Sequence, residues 1–279
     1  MNNVFKSSHL FAASTMDELS IEEISDISLS NTSKGVLCKW LAIIGQDLYY
    51  LKTGKLSYGK FSDLQPISEW IASEVGKLLG IDVINTLYFD ASLKDSLDYK
   101  AQDVLISYTK NFLGPSEVFQ SMYKMEDADN LYFVLKRDYS EYMEDVNRMI
   151  IFDFIINNVD RHTNNFGFIC DEDSLEIKRF APLFDNGNSL LSDLTEEELI
   201  TMSTVDIDRY SICKPFAHNH LYQLKMVNKL PSINLDFGRD EIEEIVSNFS
   251  LDISRKRKDC IVNLISRRLN YVKELYSKV

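Results

Sequence analysis

Three residues near the middle of the chain have the side-chain types that phosphoryl transfer needs. Asp160 is followed five residues later by Asn165, and Asp185 comes after a further short segment. Phosphoryl transfer needs a carboxylate that orients or deprotonates the acceptor hydroxyl, and oxygen ligands that hold Mg²⁺ against the phosphates. Together the three side chains supply these groups.

The order of the surrounding elements supports this interpretation. An apolar helix predicted over residues 144–157 runs into the polar sequence NVDRHTNN, and a hairpin predicted over residues 166–180 ends in PLFDNG. In protein kinases, an Asp and an Asn five residues apart lie in the catalytic loop, and a later Asp binds the same metal. The alternatives are a polar helix end that satisfies its own backbone and, for Asp185, an ordinary turn.

The part of the chain before these motifs predicts a small sheet with one helix. Two β-prone runs, 36–44 and 47–51, are separated by Gly45-Gln46 and predict a hairpin whose second strand ends at Lys52. Apolar residues recur at helical spacing over 66–79, and Gly80 follows as a C-cap. Two further strands are predicted over residues 81–89 and 104–108.

Helices predominate beyond Asn111. The last of them is predicted from a C-terminal apolar stripe, which consists of Ile261, Ile265, Leu269, Val272 and Tyr276. The whole pattern predicts an α+β, two-lobed, protein-kinase-like fold with a small N-terminal sheet lobe and a mainly helical C-terminal lobe. We expect residues 1–109 to form the nucleotide-binding lobe and residues 110–279 to form the catalytic lobe.

The motifs NxDRHxxN and APLFDNG resemble those of the HipA family of bacterial serine/threonine kinases. Upstream, SKGVLCKW resembles the family's nucleotide-covering loop, YYLK resembles its lysine-bearing strand, and SEW resembles the start of its first helix. The resemblance covers about residues 30–190 and is strongest at the two C-terminal motifs. It implies that Asp160 is catalytic, that Asn165 and Asp185 bind magnesium, and that Lys52 contacts phosphates and pairs with Glu69.

The resemblance also implies a substrate class and partners. ATP and Mg²⁺ would be the cofactors, with the adenine edge against the backbone of Ser107, Tyr108 and Thr109, and His162 is counted with the nucleotide-binding residues. The acceptor would be a protein Ser/Thr hydroxyl, with a translation component as one candidate. Full-size HipA toxins carry an extra N-terminal domain before the nucleotide loop, whereas only about thirty residues precede that loop in this sequence, so we expect a short, kinase-core-only member. Such a member would not bind a DNA-binding antitoxin through that domain, and an antitoxin protein stays among the candidate partners.

Several of these assignments have rivals in the sequence. The residues that compete with Lys52 are Lys34, Lys39, Lys55 and Lys60, and Glu74 competes with Glu69. Arg161 would clamp a carboxylate or a phosphate, and a structural role for His162 is as well supported as a catalytic one. The form Asp-Asn-Gly, where eukaryotic kinases have Asp-Phe-Gly, also resembles type II phosphatidylinositol 4-kinases. A lipid or small-molecule kinase, or an inactive ATP-binding interaction module, therefore remains an alternative.

Composition excludes several other classes of protein. The 279 residues carry 30 basic and 43 acidic side chains, a net charge of −13, which argues against general binding to nucleic acid or to an anionic membrane. The four cysteines, at positions 38, 170, 213 and 260, form no CxxC pair, so neither a zinc site nor a disulfide framework is predicted. No membrane span or signal peptide is evident, and we expect a cytoplasmic protein.

The residue types of three further segments predict their roles. His218 and His220 are predicted to be surface residues, and the basic run 255–258 is predicted to be a solvated face. The serine-rich stretch 25–33 precedes the predicted nucleotide strand, and HipA-like kinases can phosphorylate that loop. Autophosphorylation there would add negative charge beside an anionic nucleotide and would weaken ATP binding. A flexible lead-in of no regulatory importance is the alternative.

Overall fold

The computed structural model describes residues 10–11, 21–25, 39–44, 46–93, 100–124, 130–201, 212–248 and 253–277. The chain divides into two compact units, the first comprising residues 1–70 and 84–112 and the second residues 71–83 and 113–279. This differs from the expected cut between 109 and 110, chiefly because the second half of one helix groups with the second unit. Mixed helix and sheet in two units agree with the predicted two-lobed α+β fold.

The first unit contains a six-stranded sheet within its described residues. The strands are β1 (Leu10–Phe11), β2 (Ile21–Ser25), β3 (Lys39–Ile44), β4 (Asp47–Lys52), β7 (Thr86–Leu93) and β8 (Gln102–Lys110), in the spatial order β1-β7-β8-β4-β3-β2. The predicted hairpin is present as β3 and β4, which pair antiparallel from Lys39 opposite Lys52 to Ile44 opposite Asp47. A small ribbon, β5 (Leu56–Ser57) with β6 (Lys60–Phe61), follows the hairpin.

Period-two alternation places apolar side chains of these strands in one core. The members of this core are Trp40, Ala42, Leu51, Phe61, Phe89, Ala91, Leu93, Val104 and Ile106. Strand β7 shows the alternation most regularly, since Phe89, Ala91 and Leu93 are buried and the residues between them are exposed. This core holds β4, and therefore Lys52, at a defined position in the sheet.

Helix α1 spans Leu64–Leu79, close to the predicted bounds. Ile67, Ile71 and Val75 are fully enclosed at four-residue spacing, as an amphipathic helix requires. Gly80 has φ of +67°, the left-handed conformation that ends a helix and that glycine adopts without strain. The strand predicted from residue 81 is wrong in its first part, because β7 begins at Thr86 and Val83 instead forms an isolated parallel bridge with Leu183.

The second unit surrounds helix α3. In chain order its described elements are β9 (Glu117–Ser121), α2 (Leu131–Asp138), α3 (Met143–Ile156), β10 (Gly167–Asp171), β11 (Ile177–Phe180), α4 (Glu196–Thr201), α5 (His220–Leu224), α6 (Arg239–Asn248) and α7 (Arg255–Tyr276). Strands β9, β10 and β11 form an antiparallel sheet, with β10 in the middle. The predicted hairpin is thus present, with a third strand that the sequence pattern did not indicate.

Close packing in this small sheet fixes the residues that follow Asn165. A Cβ atom at Gly167 would lie 2.1 Å from the carbonyl oxygen of Gln120 on β9, so only glycine fits there. Helix α7 confirms the predicted C-terminal stripe, since Ile261, Ile265, Leu269 and Val272 are buried. No helix among the described residues is both long and apolar enough to cross a membrane.

Candidate active site

The centre of the candidate site is a buried arginine, Arg161, held by a carboxylate on helix α3. Arg161 is fully enclosed, and its Nη2 lies 2.8 Å from Oδ1 of Asp153 while its Nε donates to Oδ2 at 3.0 Å. A buried charge is tolerated only when it is paired, and this two-point contact satisfies both partners. Burial raises the pKa of Asp153, and the Arg161 guanidinium and the Asn158 amide oppose that shift.

The other side of the same guanidinium holds two later segments of the chain. Nη1 of Arg161 donates to the carbonyl of Phe184 and, at 3.4 Å, to that of Asn165, and Nη2 also donates to Oδ1 of Asn186. One cation therefore connects α3, the loop that ends at Asn165, and the turn around Asp185. Arg161 thus clamps a carboxylate, one of the two roles predicted for it, and that carboxylate is Asp153.

Local backbone conformation turns both segments toward this centre. Helix α3 ends because Asn157 adopts φ of +53°. The Asn158 side chain then bridges the helix and the loop: it donates to Asp153 at 3.2 Å and accepts from the backbone N–H of Asp160 at 3.0 Å. Asp185 has φ of +59°, an uncommon value for a residue with a side chain and one that clusters at functional sites.

Both oxygens of the Asp160 carboxylate have partners. Lys214 Nζ lies 2.7 Å from Oδ1, and Asn188 Nδ2 donates to Oδ2 at 3.1 Å. The Asp160 side chain nevertheless keeps about a third of its surface accessible, at 33%. A carboxylate held in one orientation and open to solvent is suited to receive a hydroxyl group.

The donor chemistry of Asn165 and Asp185 fits Mg²⁺, which prefers carboxylate and amide oxygens and keeps water or phosphate at its other positions. Asn165 is only 6% exposed as a residue, and its side chain makes no hydrogen bond among the described residues. Its amide is not among the fully enclosed polar groups that lack a partner, so the amide reaches the surface and its oxygen is available to a ligand. Within the described residues no cluster of three or more His, Cys, Asp or Glu side chains could hold a metal.

In the first unit, Lys52 and Glu69 form an ion pair through Nζ and Oε1. Their side chains are 14% and 5% exposed, so this pair is far more enclosed than an ordinary surface pair. The rival Glu74 binds Lys77 instead, at 2.6 Å. The contact that the resemblance implied is therefore present, and the phosphate-binding role of Lys52 stays a prediction.

The geometry argues against the predicted adenine contact at Ser107, Tyr108 and Thr109. These residues lie in β8, where they pair with Lys52, Leu51 and Tyr50 of β4 on one side and with β7 on the other. Backbone donors and acceptors of a strand with two neighbours are used within the sheet, so they are not open to a base. The sequence pattern showed a strand here but not that it lies inside the sheet.

His162 acts within its own loop. Its backbone N–H donates to the carbonyl of Asp160 at 2.7 Å, and its Nδ1 accepts from the N–H of Asn164 at 3.3 Å. These bonds shape the turn that carries Asp160 to Asn165. The nucleotide contact assigned to His162 stays a prediction.

Two surface assignments need correction. His218 is exposed as predicted, but His220 is 1% exposed at the start of α5, and burial lowers its pKa well below the usual value. Arg257, within the predicted solvated run, is also 1% exposed and binds Glu196 and two backbone carbonyls. In both cases the apolar surroundings come from distant segments, which a local charge pattern cannot reveal. Cys170, Cys213 and Cys260 are buried free thiols, as expected.

Sequence reasoning missed Asp153, Asn188 and Lys214. Asp153 had a signal, since it is the one acidic residue within the apolar sequence MIIFDFII, where a buried charge must find a partner. Asn188 and Lys214 had no such signal, because each contacts Asp160 only in the folded protein.

Some predictions fall outside the described residues. They concern most of the serine-rich stretch 25–33, the nucleotide-loop sequence around Lys34, and Cys38. These assignments stay predictions.

Comparisons with known proteins agree on the fold. No family model matches the chain, and no curated protein matches it by sequence. Among solved structures, it is similar to the Helicobacter pylori proinflammatory kinase CtkA, with a TM-score of 0.63 and 17% identity over 85% of this chain and 94% of that one. This likeness shows a protein-kinase-like fold.

Two further structures share less with this chain. Shewanella oneidensis HipA, solved with HipB and operator DNA, has a TM-score of 0.45 and 13% identity, over 90% of this chain and 65% of HipA. The Leishmania major MAP kinase LmaMPK10 has a TM-score of 0.29 and 11% identity, over 91% of this chain and 84% of that one. The kinase-like fold that the resemblance to HipA-like kinases implied is confirmed by the similarity to CtkA.

Proposed function

We propose that this protein is an ATP- and Mg²⁺-dependent kinase that transfers the γ-phosphate of ATP to a Ser or Thr hydroxyl of a protein. The observation that carries the proposal is the set of contacts made by Arg161. Its guanidinium binds Asp153, the carbonyl of Asn165 and the turn on either side of Asp185. The loop of Asp160 and the turn of Asp185 therefore belong to one buried hydrogen-bonded group.

In the proposed mechanism Asp160 acts on the acceptor. The acceptor hydroxyl donates to the Asp160 carboxylate, which takes its proton as the oxygen–phosphorus bond forms and ADP leaves with the electron pair of the broken bond. Asn165 and Asp185 would hold Mg²⁺, which neutralises charge on the phosphates. Lys52, oriented by Glu69, would contact the phosphates. For adenine, the proposal moves from Ser107–Thr109 to the segment that follows Lys110, where β8 ends.

The net charge of −13 favours basic acceptors, because the long-range field of the protein attracts them. A translation component and an antitoxin-like partner remain predictions from the family resemblance, as does autophosphorylation within residues 25–33.

The test separates the acceptor role of Asp160 from the metal role of Asp185. Purified protein is incubated with γ-labelled ATP and Mg²⁺, and with a bacterial lysate, histones, phosphatidylinositol vesicles or no acceptor. We expect labelled protein, loss of transfer by about 10²- to 10⁴-fold in Asp160→Ala, and ATP affinity within about threefold of wild type. In Asp185→Asn we expect weaker ATP binding only when Mg²⁺ is present.

Each outcome bears on one part of the proposal. Label in lipid rather than in protein would replace the acceptor class with a lipid, and ATP binding without turnover would indicate an interaction module. Retained transfer in Asp160→Ala would remove that residue from the mechanism. Mass spectrometry of the unsupplemented reaction, with Asp160→Ala as the inactive control, tests whether residues 25–33 become phosphorylated.

A further inference from the structure

Lys214 stands out because it contacts the proposed catalytic carboxylate from a distant part of the chain. It lies 54 residues after Asp160, and its Nζ is 2.7 Å from Asp160 Oδ1. We propose that Lys214 is a positioning residue for phosphoryl transfer: its ammonium holds the Asp160 carboxylate in the orientation that receives the acceptor hydroxyl. This inference rests on the proposed kinase function and adds a residue that neither sequence motif contains.

The backbone of Lys214 is held by a buried glutamine on helix α5. Gln223 is 2% exposed; its Nε2 donates to the carbonyl of Lys214 at 3.1 Å, and its Oε1 accepts from the N–H of Phe216 at 2.9 Å. The Phe216 ring packs edge-on against Phe166 and Tyr132. These contacts anchor the backbone at Lys214 and at Phe216, so the lysine side chain extends to Asp160 from a fixed backbone position.

Stability alone gives no reason for this pair. The Lys214 side chain is 56% exposed and that of Asp160 is 33% exposed, and ion pairs at such exposure contribute little to folding. Arg161 next to Asp160 differs, because it is buried and holds the backbone of the loop. The two cations therefore do different things: Arg161 places the loop, and Lys214 orients the side chain that the loop presents.

The contact leaves Asp160 able to act. Each oxygen of an ionised carboxylate can accept two hydrogen bonds, and Oδ1 and Oδ2 each have one partner, from Lys214 and Asn188 respectively. Each oxygen can therefore still accept one hydrogen bond from the acceptor hydroxyl. Holding a reacting group within a fraction of an ångström of its productive position accounts for large factors in rate, so loss of Lys214 should slow transfer more than it weakens binding.

The chain offers a matched control in Lys77. This lysine is 52% exposed and pairs with Glu74 at 2.6 Å, much as Lys214 pairs with Asp160, but it lies on helix α1 and neither Lys77 nor Glu74 belongs to the two motifs. The experiment compares wild type with Lys214→Met, Lys214→Arg and Lys77→Met. Transfer from γ-labelled ATP to histones gives kcat and KM, ATP affinity is measured by titration, and thermal unfolding reports folding.

We expect Lys214→Met to lower kcat about 10- to 100-fold, with ATP affinity and KM for the acceptor within about threefold and with an unchanged unfolding midpoint. Lys214→Arg should recover most of the activity because it keeps a cation at Oδ1, and Lys77→Met should behave as wild type. An active wild-type protein whose kcat is equal in Lys214→Met and Lys77→Met overturns this inference and leaves the kinase function standing. Failure of Lys214→Arg to exceed Lys214→Met would also overturn it. An inactive wild-type protein overturns both.

Discussion

Two buried arginines in the second unit use the same chemistry in different places. Arg161 binds Asp153, two backbone carbonyls and an amide oxygen behind the Asp160 loop. Arg257, near the start of helix α7, binds Glu196 and the carbonyls of Leu191 and Leu194 at 3.0 and 2.7 Å. Each arginine gathers segments that are far apart in sequence around one guanidinium.

The difference lies in the carboxylate. Asp153 is 3% exposed, whereas Glu196 is 45% exposed. Removing Arg161 leaves a charge that water cannot reach, but removing Arg257 leaves a glutamate that water can hydrate. The segments that Arg161 gathers also carry the candidate catalytic residues, whereas those around Arg257 carry none. A buried arginine therefore indicates a functional site only when the segments that it binds carry candidate catalytic residues.

Arg161→Met should have the largest effect on stability and activity. The substitution leaves the Asp153 carboxylate buried and without its cation, which costs about 3–5 kcal/mol, and it releases the Phe184 and Asn165 carbonyls. Urea denaturation should show this loss, and transfer from labelled ATP should vanish.

Two further variants, Arg161→Lys and Asp153→Asn, separate the loss of stability in Arg161→Met from its loss of activity. Lysine restores a charge but cannot make the forked contact, so it should recover part of the stability and little activity. Asparagine at 153 removes the buried negative charge while Arg161 keeps its other partners. Full activity in Arg161→Met at a temperature where it is folded would break the link between this arginine and the site.

Arg257→Met should have a smaller effect, on stability alone. Two carbonyls lose their donor, and Glu196 becomes hydrated, so we expect a loss of about 1–3 kcal/mol in urea denaturation. Transfer activity per folded molecule should stay within about twofold of wild type. A loss of activity as large as that in Arg161→Met would mean that both arginines serve the same site.

The elements that bear the candidate site were predictable because their signals are local. Helix α3, the hairpin of β10 and β11, the pair of β3 and β4, and α1 with Gly80 each follow from apolar periodicity and turn residues. The motif residues Asp160, Asn165 and Asp185 could be named from their types and spacing. Their attachment to one another through Arg161 and Asp153 could only be suspected from a charge in an apolar helix.

The features that the sequence did not predict depend on packing between distant segments of the chain. Strand β9 joins β10 although more than 45 residues separate Ser121 from Gly167, and no local pattern specifies that partner. The position of β8 inside the sheet, which closes Ser107, Tyr108 and Thr109 to adenine, follows only from the sheet order. The burial of His220 and Arg257 and the reach of Lys214 to Asp160 likewise arise where distant segments meet.

His220 lies behind the loop that Arg161 organises. It is the first residue of α5; burial lowers the pKa of its ring, the nearby Arg268 adds to that lowering, and a hydrogen bond to the backbone of Asn158 opposes it. Arg268 in turn donates to the carbonyl of Phe154 near the end of α3, at 2.6 Å. Because the neutral ring is enclosed here, its protonation should destabilise this side of the unit.

The smallest predicted effect is therefore a loss of stability in mild acid that depends on His220. With its folded pKa well below the value of about 6.5 in the unfolded chain, the unfolded state binds the proton first, so the free energy of unfolding falls as pH drops through 6.5. Between pH 7 and pH 5.5 we expect the free energy of unfolding to fall by about 1 kcal/mol. Urea denaturation at both values should show it in wild type and in His218→Gln, the exposed control, whereas His220→Gln should remove it whatever its stability at pH 7. An equal pH dependence in all three proteins would show that acid does not act through the buried ring.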